Sequence, residues 1–335
     1  VKIRKILAVF ISVLFCIVIL SGCIPQTNGK IKIGVIQFTQ FPVIDSIRKS
    51  ITQRMIQLGY IDGVNSEFEY RNANGDFAAA NAIVDEFIQG EKDIIISIST
   101  PATMVAAKAS DKIPVVFAAV SDPVGAGIVD SLEDTGKNIT GTSDPIQIAK
   151  NFDLAFLLTP NIKKLGYIYN PAEKNSIKSL EEIKEYLKGK NVELVESKVN
   201  TPDEVPDAAK ELIKNVDAIF ILNDNTVATA MPLIGQMAID AKIPAYVAGG
   251  LMVSENGLAH VGIKYDELGK ETANMAAQIL GKEKQAKNIS VKTFDDDLYT
   301  YINLDTADKI GVTIPNDILG APNTILYMNT NNYNN

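Results

Sequence analysis

From Ile31 to Leu280 the chain alternates short, almost wholly apolar runs with longer amphipathic stretches. No other feature constrains the fold as much. A strand that is apolar on successive residues has both faces buried, and a helix between consecutive strands lets them run parallel in one sheet. IKIGVIQF (31–38), DIIISI (93–98), IPVVFAAV (113–120), 217–222 and IPAYVAG (243–249) read as such strands. EFEYRNA (67–73) alternates, and 164–169, 192–199 and 258–263 are further strands. Val43 to Leu58 carries Ile44, Ile47, Ile51, Met55 and Leu58 on one helical face, and Gly59 ends it. Helices are also predicted over 77–89 (with Asp76 as N-cap), 102–109, 148–158, 176–188, 203–215, 227–241 (with Pro232 in its first turn) and 265–280. A helix–Lys-Ile-Pro–strand element occurs at 108–120 and again at 242–249. Two similar α/β lobes fit this better than one large sheet, with a boundary where Gly, Ser, Asp and Pro cluster at Gly141 to Pro145.

The N-terminus is of a different kind. Lys2, Arg4 and Lys5 precede an apolar run of 15 residues, Ile6 to Leu20, broken by Ser12. Its length and flanks are those of a secretory signal, and it is short for a membrane span. It ends in Leu20-Ser21-Gly22-Cys23, which is similar to the bacterial lipobox, where the cysteine is acylated and becomes the new N-terminus. Residues 1–22 are therefore expected to be removed, Cys23 to carry lipid, and 23–30 to form a tether. Cleavage removes three of 32 basic residues and leaves 29 against 40 acidic. That surface argues against nucleic acid or anionic lipid as a partner. Cys16 leaves with the signal, so no disulfide can form within the remaining chain, which must be held by its cores. With 46% hydrophobic residues it can build two of them.

In open α/β sheets, ligands bind beyond the carboxyl ends of the strands. Those ends carry Gln37-Phe38-Thr39-Gln40-Phe41, Ser99-Thr100, Ser121-Asp122 and, at the crossover, Asp144. In the second half they carry Glu173-Lys174-Asn175-Ser176, Asn223-Asp224-Asn225-Thr226 and Gly249-Gly250. Several stand just before a helix, where free backbone N–H groups suit a carboxylate. Catalytic signals are weak. His260 is the one histidine, inside a strand, and reads as structural. No zinc spacing, GxSxG elbow or P-loop is present. Gly125-Ala126-Gly127 lacks the third glycine of a dinucleotide fingerprint, and Asp295-Asp296-Asp297 reads as a solvated loop. No metal or cofactor is expected.

These strand ends, in order, resemble a family of ABC-transporter substrate-binding lipoproteins of the tryptophan/tyrosine type, with the type I periplasmic-binding-protein fold. The matching stretches include GVIQFTQFPVID (34–45), YRNANGD (70–76), STPATM (99–104), IPVVFAAVSDPVGAGIV (113–129), NITGTSD (138–144), LGYIYNPAEKNS (165–176), DAIFILNDNTV (217–227), YDELGKETANMA (265–276) and YINLDTADKIGV (301–312). The resemblance implies two Rossmann-like lobes with parallel sheets joined by a hinge. Lobe 1 is expected over 31–144 plus about 264–298, lobe 2 over 145–263 plus about 299–325, and 326–335 as a disordered tail. It implies a monomer, held on the outer face of the cell membrane by its lipid, that binds an aromatic amino acid between the lobes and delivers it to an ABC permease without chemistry. An aliphatic amino acid, another small solute, or sensing without transport are the alternatives. Ser99, Thr100 and Ser121 are expected at the ligand carboxylate. Asp122, Asp144, Glu173 and Asp224 are candidates for the ammonium, Asp224 foremost. Asn175, Ser176, Asn225 and Thr226 are expected to bond from the second lobe, and Gln37, Phe38 and Phe41 to border the ligand, the two rings as a stacking wall.

Overall fold

The computed structural model describes residues 29–328. The apolar run 6–20, Cys23 and the polar end 329–335 lie outside the described residues. The chain forms two sheets flanked by helices. Sheet 1 is built from β1 (Ile31–Gln37), β2 (Ser66–Asn72), β3 (Ile94–Ile98), β4 (Val115–Val120) and β5 (Ile139–Ser143). They are interleaved with α1 (Pro42–Gln57), α2 (Phe77–Gln89) and α3 (Thr100–Ala106). Sheet 2 takes β6 (Lys164–Tyr169), β7 (Glu193–Lys198), β8 (Ala218–Ile221), β9 (Ala245–Val247) and β10 (Ala259–Gly262). Its helices are α4 (Ile148–Leu158), α5 (Lys174–Leu187), α6 (Val205–Ile213), α7 (Asn225–Ala228), α8 (Met231–Asp240) and α9 (Gly250–Ser254). Then α10 (Tyr265–Leu280) returns to the first lobe, and β11 (Lys292–Thr293) pairs with β5. β12 (Tyr299–Asn303), α11 (Leu304–Ile310), α12 (Asn316–Leu319) and β13 (Thr324–Tyr327) complete the second.

The strand orders are β11-β5-β4-β3-β1-β2 and β13-β12-β10-β9-β8-β6-β7. Each sheet thus has a doubly wound core of order 2-1-3-4-5, whose crevice lies at the carboxyl ends beside its first strand. The duplication reaches individual bonds. Asp93 precedes β3, and its carboxylate accepts from the Lys32 N–H of β1 at 2.7 Å. Asp217 precedes β8 and accepts from the Lys163 and Lys164 N–H groups at 2.8 Å. The two Lys-Ile-Pro elements also match: Pro114 O accepts from Ile95 N, and Pro244 O from Ile219 N, both at 3.0 Å. Close packing of helix on sheet explains Gly34, where an added Cβ would stand 2.7 Å from the Phe87 ring of α2. Asp76 caps α2 as expected, accepting from Ala78 N at 2.6 Å and Ala79 N at 3.2 Å.

Three expectations are corrected. The helix predicted over 227–241 is two helices, because Pro232 has no N–H to continue the ladder and instead starts α8. The second sheet is not wholly parallel, since β12 runs antiparallel to β10. Leu326 and Tyr327, assigned to the tail, end a strand that pairs with β12 in parallel.

The backbone passes between the sheets at three places: 144–147, 263–264 and 294–298. Asp144, Gln147, Ile263, Tyr265, Phe294 and Leu298 line one small pocket there, so the crossings lie side by side. His260 fills this region from β10. It is buried, its Nδ1 lies 3.2 Å from Asn151 Oδ1, and burial pushes its pKa down to about 3. The imidazole is therefore neutral and part of the core.

Candidate functional site

The carboxyl ends of the two sheets enclose one cleft. From the first lobe it is lined by Phe41, Val43, Ile44 and Ile47 of the α1 entrance, by Ser99 and Thr100 after β3, and by Ala119 and Ser121 at the end of β4. The second lobe contributes Asn175 of α5, Leu222, Asn223 and Asn225 around α7, and Ala248 and Met252 around α9. Asp144 comes from one crossing and Tyr265 directly follows another. The wall is mostly apolar, with polar groups confined to the strand ends.

Two of these ends are bent out of regular geometry. Ser99 has φ 83° and Ala119 φ 55°, both in the left-handed region. The β4–β5 register shifts between Phe117 and Val120, so the strand end containing Ala119 turns toward the cleft. Such residues cost about 1–3 kcal/mol each and concentrate at functional sites.

Three buried side-chain atoms in this lining have no hydrogen-bond partner: Ser99 Oγ, Asp144 Oδ1 and Asn175 Oδ1. Buried polar groups are otherwise nearly always paired. Burial pushes the Asp144 carboxyl up to about 7, opposed by the Tyr265 hydroxyl and by a backbone N–H. Tyr265 is itself pushed well above the usual phenol range by burial and by the Asp144 charge. A cation placed here would restore the ionised carboxylate.

The cleft gathers Phe41, Ser99, Thr100, Ser121, Asp144, Asn175 and Asn225 from the sequence-derived set. The others lie elsewhere. Asp224, expected foremost at an ammonium, is fully buried away from the cleft. Its Oδ2 accepts from Asn170 N at 2.6 Å and Ser176 Oγ at 2.7 Å, and its Oδ1 caps α7 through Val227 N at 2.8 Å. Glu173 is also fully buried. Its Oε2 accepts from the Asn225 N–H and side-chain amide, and its Oε1 from the Thr226 N–H and hydroxyl. Burial and the neighbouring Glu173 charge push Asp224 well above the carboxylate range. Ser176 and Thr226 are thus consumed inside the lobe. Gln37 bonds to Thr39 O and Asp45. Phe38 packs in the first-lobe core, its ring 4.8 Å from Phe77. Asp122 does not line this cleft but borders an adjoining interlobe pocket with Thr100 and Asn175, and accepts from Gly125 N at 2.8 Å, shaping a turn.

Sequence reasoning placed Asn223 at a strand end without giving it a role, and missed Tyr265. Asn223 precedes the capping Asp224 and donates across the cleft to Ser121 Oγ at 2.7 Å. Its signal was its place as the first polar residue after β8. Tyr265 is the first residue after a crossing, and its signal was the abrupt start of α10 there. Gly249 closes the opposite edge: a Cβ would stand 2.8 Å from Val43 Cγ2 of the other lobe. Among the described residues no group of three His, Cys, Asp or Glu side chains is placed to hold a metal ion. No helix among them is long and apolar enough to cross a membrane.

Residues 32–325 match the family described as ABC transporter substrate binding protein. A tyrosine-binding protein of Clostridioides difficile (strain R20291) is 34% identical over 310 residues, 88% of this chain and 89% of the relative. A solved Streptococcus pneumoniae domain in complex with L-Trp is 32% identical, with a TM-score of 0.82, covering 89% of this chain and 100% of that one. A ligand-free, open substrate-binding protein from Clostridium difficile is 33% identical over 88% of this chain and 98% of its own, with a TM-score of 0.63. Within this chain the two lobes are bonded directly across the cleft by Asn223 and Ser121.

Proposed function

Because the chain belongs to the ABC transporter substrate-binding protein family, we propose that its cleft binds an aromatic amino acid for import. The observation that carries this reading is the convergence of Ser99 Oγ, Asp144 Oδ1 and Asn175 Oδ1, all buried and unpartnered, in one otherwise apolar cleft. Two of the three are acceptor oxygens, one on a carboxyl group, and suit an ammonium. Ser99 and Thr100 supply hydroxyls for the ligand carboxylate. Phe41, Ile44, Ile47 and Met252 supply the wall for a ring. The ammonium assignment thus moves from Asp224 to Asp144. The Trp and Tyr ligands of the two relatives favour an aromatic side chain over an aliphatic one.

In this reading the lobes part at the three crossings to admit the ligand and close when it bridges them. Asp144 and Tyr265 stand at the crossings and in the cleft together, so ligand contact and lobe angle are coupled there. The closed form would dock on a membrane permease, and lipid on Cys23 would hold the protein nearby and raise its effective concentration. Thermal-shift screening against the twenty amino acids tests the ligand class. A ligand at 100 times its Kd adds about 2.7 kcal/mol. Tryptophan, tyrosine or phenylalanine is expected to give the largest rise, and no rise with any of them refutes the proposal. Loss of labelled amino acid uptake on deleting the gene tests import.

A further inference from the structure

We propose that Glu173, buried behind the cleft, is a positioning residue that makes the second lobe select an aminated ligand by fixing which way Asn175 points. The inference rests on the amino-acid reading above and deepens it. An asparagine side chain can present either its oxygen or its NH2 group, and only its surroundings decide. At Asn175 the decision is unambiguous. Nδ2 lies 2.6 Å from the Asn223 carbonyl oxygen and 3.2 Å from Glu173 Oε2. A backbone carbonyl accepts and never donates, and both Glu173 oxygens are already acceptors, each from a backbone N–H. The NH2 group must therefore face inward, which leaves Oδ1, buried and unpartnered, on the cleft side.

Glu173 is held firmly enough to impose this. Four donors besides Asn175 converge on it: the Asn225 N–H at 2.9 Å, the Asn225 amide at 2.7 Å, the Thr226 N–H at 2.9 Å and the Thr226 hydroxyl at 2.8 Å. The Asn225 amide is sorted in the same way. Its NH2 group turns to Glu173, so its oxygen turns away from Glu173. One carboxylate behind the rim thus holds the NH2 groups of two cleft-lining residues, and at Asn175 this leaves an unpartnered acceptor on the cleft. The Asn175 oxygen and the Asp144 carboxyl, both in the lining and each with an unpartnered oxygen, welcome a donor-rich cationic group. They offer nothing to the same molecule without its amine.

The experiment compares binding of an aromatic amino acid with its deaminated analogue, tyrosine against 3-(4-hydroxyphenyl)propanoate, by calorimetry on the soluble chain from Lys30 onward, in wild type and three variants. Circular dichroism checks folding. In Glu173→Gln the carboxamide brings a donor to where acceptors are required, so the Asn175 amide turns and presents NH2. The preference for the aminated ligand should fall at least tenfold. Glu173→Asp keeps an acceptor-only group and should retain most of the preference. Asn175→Ala should lose it as Glu173→Gln does, and adding Glu173→Gln to Asn175→Ala should change it little further. A merely structural Glu173 would weaken both ligands equally, leave the preference unchanged and overturn the proposal. So would an Asn175→Ala variant that keeps the preference, which decides the matter even where Glu173→Gln does not fold. If the wild type itself binds no aminated ligand, the amino-acid reading fails and this inference with it. If the wild type shows the preference and the variants keep it, this inference alone fails.

Discussion

Asp144→Asn should make the unliganded protein more stable while making it a much poorer binder. Burial raises the Asp144 pKa from 3.8 to about 7. Each unit is worth 1.36 kcal/mol, so an ionised Asp144 costs the folded, unliganded protein about 4 kcal/mol above pH 7. Below pH 3.8 the carboxyl is protonated in both folded and unfolded chains and the cost vanishes. Between those limits the folded chain holds a proton that the unfolded chain has released, so stability falls as pH rises. Asparagine fills the same space without charge. After allowing about 1–2 kcal/mol for an imperfectly paired amide, the variant should gain about 2–3 kcal/mol over wild type at pH 8. Near pH 4 that gain should disappear. Tyr265, the hydroxyl beside it, stays neutral in this range because burial raises it. His260, in the same crossing region, is pushed down to about 3 and is common to both proteins, so it cancels in the difference. Losing one partner of a buried charge pair costs 2 kcal/mol or more, about thirtyfold in affinity. Urea unfolding of both proteins at pH 4, 6 and 8, with calorimetric titration at pH 8, measures both effects. A variant that is less stable at pH 8, a difference that does not change with pH, or unchanged affinity would refute this account of Asp144.

The remaining predictions address the crossings and the closed cleft. His260 is neutral when folded and takes a proton below about 6.5 when unfolded, so its contribution is full above pH 6.5 and lost as pH falls toward 3. His260→Gln should flatten the acid limb of stability by about 3 kcal/mol between pH 7 and pH 4, read by urea midpoints over that range; an unchanged limb sinks the assignment. Gly249→Ala puts a Cβ 2.8 Å from Val43 Cγ2 across the lobes, so it should weaken ligand binding without lowering the melting temperature. X-ray scattering should then find the liganded variant more open than wild type, and tight binding with normal compaction would count against the contact. Ser121→Ala removes the hydroxyl that accepts from Asn223 at 2.7 Å, and at about 1 kcal/mol per bond affinity should drop about fivefold. No change would mean that this bond does not bias closure.

The elements with strong local signals were legible almost to the residue. Ile148–Leu158 and Tyr265–Leu280 are the helices that their apolar spacing predicts, and Lys164–Tyr169 the predicted strand. The carboxyl-end rule likewise found the cleft. What the sequence conceals is which residue of a polar pair faces into it. Ser121 lines the cleft and Asp122 makes a turn, Asn175 lines it and Ser176 does not, Asn223 spans it and Asp224 caps a helix. Neighbours in a tight turn point in different directions, and the choice depends on distant partners. The donors that satisfy Asp224 include Asn170 and Ser176, 54 and 48 residues away. The sequence reading put Asp224 foremost at an ammonium. Asp224 and Glu173 both stand among hydroxyls and amides, and those same groups bind their oxygens inside the lobe. Asp144 also stands among polar residues, Thr140, Thr142, Ser143 and Gln147. Their side chains bond elsewhere, which leaves its Oδ1 without a partner, and burial makes its carboxyl hard to ionise. A carboxylate already holding three internal donors gains little from an ammonium, whereas one that lacks them gains most. On the proposed assignment, the ligand ammonium would be met by the acidic residue that the rest of the protein serves least.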